Sequence, residues 1–171
     1  NPLLLDTALQ SVLETSDPRK VGEILNAGGG LKKVQSTLIG AYMNNFTRSR
    51  RQTLLYYLAL CRNGLSKELL TYFEPQQGEN LFSELTVMGN LPFVKVREVS
   101  GQQTYFLHDA MYKICDEVLL RPAQAAGDSQ KIVAWYDSQL ELASDPSEAA
   151  DLLVSSLFYR MRSDPLKGYQ W

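Results

Sequence analysis

The stretch from Phe93 to Leu107 constrains the fold more than any other part of the chain. Phe93-Val94-Lys95-Val96-Arg97-Glu98 alternates apolar and charged residues, as a half-exposed strand does. Val99-Ser100-Gly101-Gln102 reads as a tight loop, and Gln103-Thr104-Tyr105-Phe106-Leu107 reads as the returning strand. Three helical segments precede this hairpin. Ser49-Arg50-Arg51-Gln52 has the spacing of a capping box and opens a helix whose Leu54, Leu55, Leu58 and Cys61 face inward. That helix stops at Asn63-Gly64, where glycine supplies the positive φ of a sharp turn. Ser66 caps a second, short helix from Lys67 to Phe73, closed by Glu74-Pro75. A third runs from about Glu79 to Met88, with Leu81, Leu85 and Met88 inward, and breaks at Gly89-Asn90-Leu91-Pro92. Three helices followed by a two-stranded wing predict a winged helix-turn-helix domain over residues 49–122.

The flanks read as helical, so the expected class is mainly α. Asn1 caps and Pro2 opens a helix carrying Leu4, Leu5, Ala8, Leu9, Val12 and Leu13 on one stripe. Asp17-Pro18 starts another, ended by Gly28-Gly29-Gly30, and a third covers about Leu31 to Asn45. Residues 1–48 are therefore expected to form a helical subdomain. After the wing, Asp109 stands where an N-cap belongs, ahead of a helix with Met111, Ile114, Cys115 and Val118. Ala123 to Ser129 is small and polar and reads as a linker. Two helices follow, about Gln130 to Ala143 and Pro146 to Met161, the second capped by Asp145 with Glu148 at the third helical position. Residues 129–171 thus form a C-terminal α-hairpin that reads as the start of helical, TPR-like repeats. Both ends of the sequence look like cuts through helices, which suggests a piece of a longer protein.

Charge argues against a polyanionic partner. The 171 residues carry a net charge of -2, whereas a DNA-binding domain is usually basic because phosphate neutralisation supplies most of its affinity. The helix Ser66 to Phe73 offers Lys67 beside Glu68, a poor set for reading base edges. Arg48, Arg50 and Arg51 cluster at a helix start, where an ordinary solvated cluster is the better account than a phosphate partner. Cys61 and Cys115 each sit in an apolar stretch and read as buried free thiols of a cytosolic protein. No apolar run spans a bilayer, and the first residues lack the basic start of a signal peptide. The expected location is cytoplasmic.

Little in the chain carries chemistry by itself. His108 is the one histidine and has no second histidine or nearby cysteine with which to hold a metal. Read from spacing alone it is a polar residue closing the wing, helping Asp109 cap the next helix. Gly28-Gly29-Gly30-Leu31-Lys32-Lys33 lacks the Gly-x-x-x-x-Gly-Lys-Ser/Thr spacing of a phosphate loop and follows a helix instead of a strand.

Order gives these residues another reading. Asn1-Pro2-Leu3-Leu4-Leu5 resembles the end of a Gly-x-Pro motif, and Leu107-His108-Asp109 resembles a Met-His-Asp motif. Between them lie a helical bundle and the segments Arg51-Gln52-Thr53-Leu54-Leu55 and Leu65-Ser66-Lys67-Glu68-Leu69-Leu70. This layout, over about residues 1–121, resembles the STAND signalling ATPases and their NB-ARC branch. The resemblance implies that Pro2 packs against the adenine of bound ADP or ATP and that His108 approaches the β-phosphate of ADP. It implies that Leu107 and Asp109 fix the backbone around His108. It also implies an upstream nucleotide-binding domain of the same chain as partner, and oligomerisation on activation. Leu107 replaces the usual methionine, a nearly volume-conserving change. With neither a phosphate loop nor a Mg²⁺-binding acidic motif, the chain is expected neither to hydrolyse ATP nor to hold nucleotide tightly by itself. The competing expectation is a transcription regulator whose winged helix touches DNA.

Overall fold

The computed structural model describes Arg19, residues 50–99 and residues 101–168. The helices expected within residues 1–48, the glycine run at 28–30, Pro2 and the Ser49 cap lie outside these residues. Within them the chain is mainly helical with one small antiparallel sheet.

Helix α1, Arg50–Leu60, is the centre of the core, with Leu54, Leu55, Tyr57, Leu58, Ala59 and Leu60 all buried. A helix apolar on nearly every side of its second half must be surrounded, and this one is. It closes with Cys61 N–H donating to the Tyr57 carbonyl at 2.8 Å, and Gly64 N–H to the Cys61 carbonyl at 3.0 Å. Gly64 turns the chain at φ +96°, as its sequence position predicts.

Strand β1, Leu65–Ser66, follows at once and was not expected. Two residues carry no alternation to read. They become a strand because β3 lies alongside, with Leu65 opposite Tyr105 and Ser66 opposite Thr104. Ser66 also caps helix α2, Lys67–Phe73, its hydroxyl accepting from Leu69 N–H at 3.2 Å. Helix α3, Gly78–Met88, crosses α2 closely: a Cβ on Gly78 would stand 2.8 Å from the Thr71 Cα. Strands β2, Val94–Val99, and β3, Gln102–Leu107, form the hairpin in register Val94 to Leu107 through Val99 to Gln102. The strands run one residue further toward the tip than the sequence suggests, and Gly101 turns the chain between them at φ +76°. Sheet order is β1-β3-β2, three strands where two were expected. Tyr105, 1% exposed, anchors the sheet on α3 by an edge-to-face contact with Phe82 at 6.0 Å.

Helix α4, Asp109–Val118, packs on α1 through Met111 and Cys115, and both cysteines are free and buried. The expected linker is absent. Helix α5 runs unbroken from Pro122 to Leu142. Pro122 takes a first-turn position, where its missing N–H costs nothing. Two of the residues that look linker-like, Ala125 at 2% and Ser129 at 0% exposure, are buried helix-packing positions, while Ala123 and Gly127 lie on the exposed side of the same helix. Helix α6, Pro146–Ser163, folds back after a short connection and is capped by Asp145, which accepts from Ser147 N–H at 3.2 Å. Helix α7, Pro165–Gly168, is one turn.

The α5–α6 hairpin is docked on the turn that ends α1. Asn63 N–H donates to the Tyr159 hydroxyl at 3.2 Å, and Asn63 Nδ2 to the Ser155 carbonyl at 2.9 Å. Tyr136 and Tyr159 stack at 5.8 Å behind that contact. No helix among the described residues is long and apolar enough to cross a membrane.

Candidate functional site

The sheet ladder does not stop at Leu107. His108 N–H donates to the Phe93 carbonyl at 2.8 Å, so the residue after β3 is still held to the residue before β2. Leu107 itself is 1% exposed, and its N–H donates to the Tyr112 hydroxyl at 3.2 Å. Aromatic side chains in a helix lean back toward its N-terminus. Tyr112, in the first turn of α4, thereby reaches the strand end it follows. Its ring is fixed from the opposite side by the Arg62 guanidinium, 4.1 Å from the ring centroid. Burial raises the Tyr112 hydroxyl pKa, while the Leu107 N–H and Arg62 pull it back.

The structure shifts the helix start by one residue relative to the sequence reading. His108 is the N-cap, at φ −64° and ψ 143°, and Asp109 is the first helical residue. The cap is made by backbone: the His108 carbonyl accepts from Met111 N–H at 2.7 Å, and its side chain makes no capping bond. Asp109 turns outward and pairs with Lys95 Nζ at 3.2 Å. That hydrogen bond, and then the charge of Lys95, hold the Asp109 carboxyl below the usual carboxylate range. Asp109 still suits its place, because a carboxylate in a first turn meets the positive end of the helix dipole.

The imidazole of His108 is therefore not consumed in capping. Its Nδ1 is closed off from solvent and has no hydrogen-bond partner. A buried polar atom left unpaired costs about 1–3 kcal/mol, and native structures hold few of them. Two strands and a helix start converge to hold the backbone of one side chain whose ring nitrogen remains unmet. Chemically, an imidazole nitrogen can accept a hydrogen bond, donate one, or bear a proton beside an anion.

Of the sequence-expected site residues, Leu107, His108 and Asp109 stand together here, and Pro2 lies outside the described residues. Lys95 and Tyr112 belong to the same constellation and were missed. Tyr112 could have been found from its place in the first turn of the following helix. Lys95 could not, because its pairing depends on strand register. Among the described residues no group of three or more His, Cys, Asp or Glu could hold a metal ion. No protein-family model, no curated protein and no solved structure matches this chain.

Proposed function

We propose that this chain is the regulatory part of a STAND-type, NB-ARC-like signalling ATPase, in which residues 49–122 are a winged helix that couples ADP or ATP state to domain rearrangement. The unpartnered Nδ1 of His108, held at the wing-to-helix junction, is the observation that carries the reading. Because that nitrogen is closed off from solvent, a group on another domain meets it only once the ring turns outward on its fixed backbone. In this reading that group is the β-phosphate of ADP, Pro2 packs on the adenine, and Leu107 and Asp109 hold the frame. The order helix, short strand, two helices and hairpin supports the winged-helix assignment. The upstream nucleotide-binding domain of the same chain is the partner, hydrolysis belongs to the parent protein, and the setting is cytoplasmic. Residues 129–171 begin a TPR-like helical array.

Switching follows if ADP binds one domain arrangement better than the other, since a ligand shifts only an equilibrium whose states it binds unequally. In the parent protein, His108→Ala should release ADP about tenfold or more faster, the loss of one hydrogen bond to a charged group. Unchanged ADP release would refute the assigned role.

DNA binding, the competing reading, draws no support from the helix faces. Lys67 of α2 is paired with Glu79 at 2.8 Å, and α3 contains no Lys or Arg at all. Titration with duplex DNA at low salt separates the two, because a DNA-binding winged helix must show salt-dependent affinity.

A further inference from the structure

A pocket of about 590 Å³ opens between α1 and the start of α5. Gln52, Tyr56 and Tyr57 line it from α1, and Arg121, Gln124, Asp128 and Lys131 line it from the other side. Spacings of four and three residues put Gln124, Asp128 and Lys131 on one face of α5, with Arg121 at its N-cap. A helix face turned toward another helix is ordinarily apolar. This one is polar over two turns.

The charges within it are unequal. Asp128 is satisfied from inside the fold: one oxygen accepts from the Tyr56 hydroxyl at 2.6 Å and the other from Lys131 at 2.8 Å. Arg121 has no ion-pair partner among the described residues. Burial and then Asp128 raise the pKa of the Tyr56 hydroxyl, and Arg162 draws it part of the way back. Gln124 supplies an amide at the same hydroxyl. The pocket therefore combines an unmatched guanidinium, a lysine paired with Asp128 and largely exposed, aromatic ring surface and an amide.

We propose that this pocket binds a small anion carried on a planar ring, with the carboxylate or phosphate on Arg121 and Lys131 and the ring against Tyr56 and Gln124. The volume lies within the range of small-molecule sites, about 300–1,000 Å³. A guanidinium presents a planar fork matched to carboxylate or phosphate oxygens. Ring faces favour a second ring, and an amide can donate to or accept from a heteroatom on it. Asp128 sets the opposite limit: its carboxylate, already paired, disfavours a second negative group on the tyrosine side.

The test is an NMR titration of the whole chain with adenosine monophosphate, benzoate and inorganic phosphate. Adenosine monophosphate and benzoate should each give saturable shifts, tighter than phosphate, centred on Gln52, Gln124 and Lys131. Arg121→Ala, at an exposed position, should weaken both about tenfold. Arg97→Ala on the hairpin, which removes a cation elsewhere, should change neither. Absence of saturable shifts with both ring-bearing probes up to about 10 mM would overturn the proposal. Shifts insensitive to Arg121→Ala would do the same, as would phosphate binding as tightly as the other two.

Discussion

Replacing Gly64 with alanine tests how the hairpin is attached to the helices. An alanine Cβ at this position would stand 2.3 Å from the Thr104 Cγ2 and 2.6 and 2.7 Å from two atoms of the Phe106 ring. None of these distances is tolerable, and Thr104 is buried at 6% exposure opposite Ser66, with little room to withdraw. The backbone at φ +96° adds a second cost, since L-residues avoid positive φ by about 1–2 kcal/mol. Forcing a methyl into a packed site costs about 1–3 kcal/mol. Gly64→Ala should therefore destabilise the chain by about 2–5 kcal/mol. Urea unfolding measures it as a lower midpoint at unchanged slope. Thr104→Ser removes the nearest offending atom and should recover part of the loss in the double variant, a coupling that distant sites would not show. A cost under about 1 kcal/mol, or no recovery with Thr104→Ser, would mean that β1 and β3 are not joined as described.

Three further outcomes follow from the same contacts. Ser66→Ala removes the cap of α2 and should cost about 1 kcal/mol in urea unfolding. Burial raises the Cys61 thiol and pushes Cys115 up to about 12, so both stay protonated where an unfolded chain ionises. The folded chain then holds more protons than the unfolded one above about pH 9, and stability, complete below that, should fall toward pH 12 by as much as about 1.4 kcal/mol per pH unit for each thiol. A urea midpoint that is flat between pH 8 and 10.5 would contradict this. Asp116 accepts from Arg62 and lies 3.7 Å from Arg162, so Asp116→Asn leaves two half-buried guanidinium groups without a counter-charge. Differential scanning calorimetry should show a lower Tm for that variant, with the deficit shrinking in high salt as screening replaces the lost carboxylate.

Much of this architecture was legible because the deciding residues act locally. Gly64, Ser66 and Asp145 each signal a turn or a cap through their own backbone or hydroxyl chemistry, and the alternation from Val94 to Val99 signals a strand. Strand β1 was not legible, because Leu65 and Ser66 become a strand only through β3, forty residues away. The stretch from Ala123 to Ser129 misled for a different reason: small polar residues suit both a linker and a helix packed tightly against neighbours, and only burial separates them. At the candidate site, the position of His108 was readable from its order along the chain. The one-residue displacement of the cap was not, because Asp109 is a strong N-cap residue by type. The cap falls instead to the His108 backbone, and Asp109 pairs with a lysine brought beside it by strand register. Nor does any sequence signal report an unpartnered ring nitrogen.

The continuity of α5 has a mechanical consequence. Twenty-one residues of unbroken helix make a rod about 30 Å long. Its first turns are fastened to α1 through Tyr56 and Asp128, and α6 returns from its far end to Asn63. With no flexible joint at residues 123–129, the rod and the helix-and-sheet unit turn as one stiff piece. A tilt of about 10° at the wing displaces the Ala143–Asp145 tip by about 5 Å, the arc swept by a lever of that length. A small change in seating at one end becomes a displacement at the other large enough to make or break a contact.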